Sequence, residues 1–235
     1  MCLLWWYAKE HLAQLHNLKS VYIATTGPVV GYFGVDHPTM DEVFEKMSEI
    51  FSNWHFLEQF NTSRMVLTNK LPRLFGSLQY PLTNINLYAA RLSKEDLSYL
   101  ATSHHMGSLQ QVELAYNDFR GMATELCDML RNASSLTVLS LKMSEMQLHE
   151  KVQVMQALQS CPNLHKLAMY ENEDMLSTAG YDTVIELACL LPWLKEFYIF
   201  PFQYKPFELF FRTTVYTSAC RILDEQKRTD LKLLY

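Results

Sequence analysis

The sequence predicts an α/β solenoid, in which a parallel sheet lines one side and helices line the other. Two observations lead to this prediction. The pattern Leu-x-x-Leu-x-Leu-x-x-Asn-x-Leu recurs along the chain, and its first leucine returns at a nearly constant interval. In five copies the first leucine is Leu57, Leu82, Leu109, Leu136 and Leu164. These positions are 25, 27, 27 and 28 residues apart. Such a period is typical of a right-handed leucine-rich-repeat solenoid, or horseshoe, with a concave sheet and convex helices.

Each copy of the pattern predicts one short strand. In Leu-x-x-Leu-x-Leu, alternate residues of an extended chain point to the same side, so the apolar ones face a common core. Leu114 and Leu139 should therefore be almost fully buried between adjacent repeats. Parallel strands joined by crossover segments follow the right-handed rule. We expect strands near residues 21–23, 59–62, 84–87, 111–114, 138–141, 166–169 and 196–199.

The segments between the strands predict helices. Thr39 and Ser93 stand at starts that resemble a capping box, with acidic residues following within three positions. Apolar residues then recur at helical spacing, as in 97–101. Asn117 and Asn172 occupy the asparagine of the repeat, and we interpret both as structural, bonding the backbone of adjacent turns.

The repeats predict a single solenoid over residues 1–235, with core repeats at about 57–199 and a C-terminal cap at about 200–235. A cluster of aromatic residues at 197–211 is interpreted as sealing the last repeat, with a binding patch as the alternative. A last helix is expected at roughly 214–227. At the other end, the strand of Leu18, Val21 and Ile23 lacks an upstream neighbour, so we expect an exposed apolar edge there.

Composition argues against several classes of function. The net charge is −5 and no run of Lys and Arg occurs, which disfavours nucleic-acid binding. Five widely spaced cysteines predict free thiols in a reducing compartment, and we expect a cytoplasmic protein. The apolar start at 1–8 is short and is followed by Lys9 and Glu10, so neither a signal peptide nor a membrane span is expected.

The predicted concave face is the candidate binding surface. Solenoids of this kind bind through that face, and its mixture of tyrosine and polar residues suits a protein partner. The alternative is a merely solvated sheet. The side chains expected to point outward, and taken as the partner-binding set, are Asn84, Asn86, Gln111, Glu113, Ser140, Lys142, Lys166, Tyr170, Glu196 and Tyr198. Convex residues such as Lys94 and Lys151 are expected to take no part.

Other side chains raise the possibility of chemistry, but each has a simpler interpretation. His104–His105 lacks a third metal ligand nearby in the sequence, which favours capping or loop surface. Glu171, Glu173 and Asp174 are interpreted as an exposed acidic turn rather than a cation site. With only 7 glycines, the chain has no phosphate-cradling loop, and it has no Gly-x-Ser-x-Gly elbow. We therefore expect no catalytic residue, metal or cofactor.

Three parts of the sequence resemble a known family. The stretch 81–100 resembles the "PLxxLxL…LSxxDLxxL" unit of the PRAME-like leucine-rich-repeat family, and 109–119 resembles its "LKxLDLSGNxL" unit. The segment 200–208 resembles its "xPxPxxxYE" stretch. The turn at 172–175 departs from the pattern, because Asp174 stands where the family has a core leucine.

The resemblance implies a protein-interaction module. The likeness to one member implies a cytosolic regulator of innate immunity that binds an IκB kinase subunit and dampens Toll-like-receptor signalling through NF-κB. The alternative, implied by other members, is a substrate receptor of a cullin-RING ubiquitin ligase. Those members carry a cullin-recruiting segment in an N-terminal half that has no counterpart in this sequence.

Overall fold

A computed structural model describes residues 10–24, 40–170, 178–199 and 208–234. Eight strands form one parallel sheet in the order β1 to β8, each bonded to its neighbours in the chain. The strands are β1 (Ser20–Ala24), β2 (Gln59–Ser63), β3 (Asn84–Tyr88), β4 (Gln111–Glu113), β5 (Val138–Ser140), β6 (Lys166–Ala168), β7 (Glu196–Tyr198) and β8 (Lys232–Leu234).

The helices lie between successive strands and cover the opposite side of the core. They are α1 (Met40–Phe51), α2 (Leu71–Phe75), α3 (Lys94–Thr102), α4 (Ala123–Arg131), α5 (Leu148–Ala157), α6 (Thr178–Cys189) and α7 (Glu208–Glu225). Short 3-10 turns follow α3 and α5, at Met106–Ser108 and Leu158–Ser160. Helix order, strand order and parallel pairing confirm the predicted α/β solenoid.

The core consists of the inward residues of each strand packed against the helices. Leu114 and Leu139 are fully buried, as the repeat pattern predicts. Thr62 of β2 occupies the inward position that Leu114 has in its own repeat. It is paired with Leu87 of β3, and its buried hydroxyl has no hydrogen-bond partner among the described residues. The degenerate repeat therefore keeps the register but places a polar atom in the core.

Polar side chains connect one repeat to the next. The buried amide of Asn117 donates to the carbonyls of Leu87 and Leu114, both at 2.9 Å, and accepts from the N–H of Leu92. This confirms the structural interpretation of Asn117, while Asn172 lies outside the described residues. Bonds of this kind satisfy backbone groups that the strands leave unpaired.

The capping box predicted at Ser93 is present. Asp96 accepts from the N–H and hydroxyl of Ser93, and the hydroxyl oxygen of Ser93 accepts from the N–H of Asp96. The same buried carboxylate accepts from the N–H of Leu71 at 3.0 Å, so it also joins α3 to the start of α2. Thr39 lies outside the described residues, but α1 begins directly after it.

The C-terminal segment differs from the prediction. The last helix runs from Glu208 to Glu225 rather than from 214 to 227, and it is followed by β8, which was not predicted. Leu231 is buried and bonds back to Arg228 as Leu194 bonds to Leu191 in the preceding repeat. One residue fewer separates it from the strand, so the Leu-x-x-Leu spacing that identified the other strands is lost.

At the opposite end, β1 forms the edge of the sheet within the part of the chain that the structure describes. Ile23 is buried, whereas Val21 is half-buried and Tyr22 is exposed. The apolar edge expected there stays a prediction. Of the aromatic cap, 200–207 lies outside the described residues.

Candidate functional site

The parallel strands pair without any stagger, so equivalent side chains stand side by side across the sheet. Neighbours in such a row are about 4.8 Å apart. The first row on the concave face consists of Ser20, Gln59, Asn84, Gln111, Val138, Lys166, Glu196 and Lys232. The second consists of Tyr22, Asn61, Asn86, Glu113, Ser140, Ala168, Tyr198 and Leu234.

A third row begins where the strands end. Ser63 pairs with Tyr88, and the N–H groups of the following turns continue the ladder to Lys142 and Tyr170. The turns after β2, β3, β4 and β5 each carry a residue in the left-handed region, among them Tyr116 at φ 61°. That backbone conformation turns the ring of Tyr116 back onto Tyr88, with centroids 4.8 Å apart.

A tyrosine cluster forms in the middle of the concave face. Its members are Tyr88, Tyr116, Tyr170, Glu113 and Lys142. The ammonium of Lys142 lies 5.8 Å from the centroid of the Tyr170 ring, a cation–π distance. Burial, together with the nearby Tyr116, Glu113 and Tyr88, raises the pKa of Tyr170. Partial burial and the Tyr88 phenol likewise raise the pKa of Tyr116. The cluster is therefore partly desolvated before any partner arrives.

A second cluster lies on β6 and β7. The ammonium of Lys166 lies 4.8 Å from the centroid of the Tyr198 ring and 3.5 Å from the carboxylate of Glu196. Burial alone would lower the pKa of Lys166, but the Tyr198 hydroxyl and the Glu196 carboxylate outweigh it, and the net shift is upward. The three predicted residues thus form one charged and aromatic group.

Asn84, Asn86 and Gln111 point outward from β3 and β4, as predicted. The carboxamide oxygen of Asn86 accepts from the N–H of Tyr88 at 3.1 Å. Glu113 bonds its own turn in the same manner, accepting from the N–H of Ala115 at 3.0 Å. These two bonds fix their side chains and leave part of each polar group available to a partner.

Ser140 differs from the rest of the predicted set. It stands in the second row but is only 5% exposed, and its hydroxyl has no partner among the described residues. It therefore offers little surface to a partner. Ala168 beside it is buried as well.

Sequence reasoning missed Tyr88 and Tyr116, which complete the tyrosine cluster. Both follow the last core leucine of their strand, where the prediction placed turns rather than binding residues. Tyr22 was also missed, although it lies in register with Asn61 and is 67% exposed. Its alternation with Val21 and Ile23 was the signal that could have identified it.

Of the two interpretations given for His105, capping is confirmed and loop surface is wrong. The ring is fully buried, and Nδ1 accepts from the N–H of Leu82 at 3.2 Å while Nε2 contacts the carbonyl oxygen of Phe75, the last residue of α2, at 3.1 Å. It therefore holds the turn before β3 to the end of α2. No group of potential metal ligands occurs among the residues the structure describes. Glu171, Glu173 and Asp174 lie outside them.

The convex side also corrects one prediction. Lys94 is exposed on α3, but Lys151 of α5 is almost fully buried and is not a convex surface residue. A cavity of about 250 Å³ lies on this side, next to α1, and the ion pair of Lys46 with Glu49 lines it. None of the described helices is long and apolar enough to cross a membrane.

The four cysteines within the described regions are free thiols, as predicted. Cys127, Cys161 and Cys189 are buried, and Cys220 is half-buried. Burial raises the pKa of Cys161 to about 12, and its thiol donates to the carbonyl of Leu130 at 3.3 Å. A thiol held in this way is inert.

Comparison with known proteins supports the resemblance seen in the sequence. Leucine-rich repeat-containing protein 14 of Bos taurus is 32% identical over 126 residues, which cover 53% of this chain and 25% of that protein. The Xenopus laevis protein of the same name is 27% identical over 223 residues, covering 91% of this chain and 41% of the relative. The chain therefore spans between a quarter and about two fifths of the relatives it matches. No family model matches the chain.

Among solved structures, one described as leiomodin-1 actin-binding site 2 is similar over 82% of this chain and 94% of its own. The TM-score is 0.44 and the identity is 15%. The eight-stranded parallel sheet with helices on its other side is a leucine-rich-repeat fold, and the sequence relatives carry that repeat in their name. Repeats of this kind are protein-interaction scaffolds, and the scaffold typically carries no catalytic chemistry.

Proposed function

We propose that this chain, which is similar to leucine-rich repeat-containing protein 14, is a non-enzymatic cytoplasmic regulator that binds an IκB kinase subunit through its concave face. In this role it dampens NF-κB activation downstream of Toll-like receptors. The regulatory role and the partner come from the resemblance. The concave face is chosen because tyrosines and charged residues follow one another across it, on neighbouring strands from β3 to β7.

The chemistry of this face suits a protein partner. Tyrosine is enriched among the residues that dominate binding energy, because its ring buries much area and its hydroxyl still forms a hydrogen bond. Tyr170 and Tyr198 each carry a lysine against the ring, so their side chains are already ordered. Ordering before association lowers the entropic cost of binding.

The test compares two variants with four alanine substitutions each. The concave variant replaces Glu113, Lys142, Tyr170 and Tyr198. The control replaces the helix-side residues Lys94, Gln153, Glu186 and Tyr216, so that each variant loses one acidic and one basic residue. Binding to each purified IκB kinase subunit is measured by biolayer interferometry, and NF-κB output by a reporter assay.

The concave variant should bind one kinase subunit at least about 30-fold more weakly, because buried interface tyrosines contribute about 2 kcal/mol or more. The control variant should bind as the parent does, and both should melt within a few degrees of it. Loss of binding in the control alone would put the site on the helix side. Co-purification of a cullin scaffold, with no kinase subunit bound, would favour the alternative function of ligase substrate receptor.

A further inference from the structure

Five carboxamide side chains lie together at the N-terminal end of the concave face. We call them the carboxamide patch, and its members are Gln59 and Asn61 of β2, Asn84 and Asn86 of β3, and Gln111 of β4. Gln59, Asn84 and Gln111 are neighbours in the first row, and Asn61 and Asn86 are neighbours in the second. The patch therefore covers three consecutive strands without interruption.

The hydrogen-bonding capacity of the patch is almost unused. Each carboxamide offers two N–H donors and one carbonyl acceptor. Only Asn86 uses any of these within the described parts of the chain, accepting from the N–H of Tyr88. The other four side chains form no hydrogen bond to a described residue. Since folding does not require their polar atoms, these groups are available to a ligand.

The patch carries no formal charge. Charged groups at its border include Glu58, which is paired with Lys19 at 3.0 Å, Glu113, which bonds the N–H of Ala115, and Arg64, which follows β2. A charged ligand group placed on the patch itself would lose water without a counter-charge among the five carboxamides, which is unfavourable. A nucleic-acid strand would need basic residues for its phosphates, and the patch has none. The favoured ligand is therefore neutral and rich in both donors and acceptors.

The peptide group has this chemistry, and its spacing fits. Gln59 and Asn61 lie two residues apart on one strand, as do Asn84 and Asn86, a separation of about 6.7 Å. An extended polypeptide repeats its outward N–H and C=O groups at the same interval. Exposed Tyr22 stands beside Asn61, and half-buried Tyr88 follows Asn86, so an aromatic ring borders the patch on two sides.

We propose that the carboxamide patch binds an extended, uncharged segment of a partner protein by hydrogen bonds to its main chain. The segment lies along the strands, and its side chains contact Tyr22 and Tyr88. This inference rests on the proposed function, in that it takes the concave face to bind a protein. The inference adds the kind of partner segment that the N-terminal half of the concave face binds.

The probe for this proposal is a phage-displayed library of random 12-residue peptides, selected on the full chain. Enriched peptides are synthesised and their dissociation constants measured against two variants of similar shape to the parent. The patch variant carries Gln59→Met, Asn61→Leu and Asn84→Leu, which removes only side chains without an intramolecular hydrogen bond. The control on the helix side carries Lys94→Met and Gln153→Met, at two exposed positions.

The patch variant should bind the peptides at least 10-fold more weakly than the parent, and the control within about 3-fold. N-methylation of alternate peptide nitrogens should also weaken binding at least 10-fold, while replacing single peptide side chains should have less effect. Circular dichroism and thermal melting verify that both variants fold.

Several results would overturn the proposal. The selection could enrich no peptide, enrich only peptides that need charged residues, or enrich peptides whose binding is insensitive to N-methylation. Binding of oligouridine that depends on the patch, or self-association in sedimentation that depends on it, would also contradict a peptide ligand. The outcome is separable from that of the proposed function. Peptides whose binding is lost with Lys142→Met and Tyr170→Phe, but not in the patch variant, would reject the patch and keep the concave face as a binding surface. Patch-dependent peptides, in a chain that binds no kinase subunit, would keep the patch and reject the proposed function.

Discussion

At the scale of single residues, His105 shows how a buried imidazole makes stability depend on pH. Burial lowers the pKa of His105 from its usual 6.5 to about 4. The bond to the Phe75 carbonyl partly opposes this shift, and the charge of His104 adds to it. Between these values the unfolded chain binds a proton that the folded chain does not. Stability from this group is complete above pH 6.5 and is lost as the pH falls toward 4.

The prediction is that lowering the pH from 7.5 to 5 costs the folded state about 2 kcal/mol through His105. In His105→Gln this contribution should disappear, so the free energy of unfolding should fall less steeply with pH than in the parent. Urea unfolding at several pH values measures the slopes. The control His149→Gln, at an exposed position on α5, should keep the parental slope. Equal slopes in all three proteins would contradict the assignment.

Thr62 is a second residue whose contribution can be isolated. Its hydroxyl is buried without a described partner, and removing such a group while keeping the shape of the side chain is expected to be favourable. Thr62→Val should therefore raise the free energy of unfolding by about 1 kcal/mol, or the melting temperature by about 2–4 °C. Thr62→Ser, which keeps the hydroxyl and loses the methyl group, should be destabilised instead. A destabilised valine variant would mean that the hydroxyl is satisfied.

At the scale of elements, Arg228 stabilises the end of α6. A helix leaves its last carbonyls without partners. The Arg228 guanidinium, which is largely buried, donates to Cys189 at 2.7 Å, Leu191 at 2.9 Å and Leu194 at 2.7 Å. Its Nε also donates to Asp230 at 3.0 Å. Bonds to Lys195 and Arg228 hold the pKa of the Asp230 carboxyl well below its usual range. One side chain thus fixes α6, the following turn and the approach to β8.

Arg228→Met should lower the free energy of unfolding by about 3 kcal/mol, because it leaves buried carbonyl groups without donors. Arg228→Lys should recover only part of this loss, since a single ammonium cannot reach all of the acceptors. The matched control is Arg131→Met on α4, whose ion pair with Asp128 is exposed and should matter by less than about 0.5 kcal/mol. Similar losses from Arg228→Met and Arg131→Met in chemical denaturation would contradict the capping role.

At the scale of the whole molecule, the periodic apolar pattern was enough to predict seven strands and the outward set of the concave face. The pattern works because alternation assigns each strand residue to a face without reference to the rest of the chain. It missed β8, where one residue is deleted and Leu231 alone keeps the place of the first leucine. Ser140, His105 and Lys151 were misjudged for another reason: their burial depends on neighbours from other repeats, which a local pattern does not contain. The position of Tyr116 depends on a left-handed backbone at a residue other than glycine, which the sequence does not indicate. Tyr88 is the last outward residue of β3, one residue beyond the predicted strand.

In the parallel sheet each strand is hydrogen-bonded only to its neighbours in the chain, and this order also determines how the molecule unfolds under mechanical force. If its two ends are pulled apart, the load acts across the strands and meets their hydrogen bonds a few at a time. The molecule should then peel from one end at low force, releasing one repeat in each event. Equivalent positions on neighbouring strands are 25 to 39 residues apart, as for Gln59 and Asn84 and for Ser20 and Gln59. Each release should therefore lengthen the chain by about 80–130 Å. Under tension the fold should therefore yield at its seven strand–strand pairings one after another, rather than unfolding as a single cooperative unit.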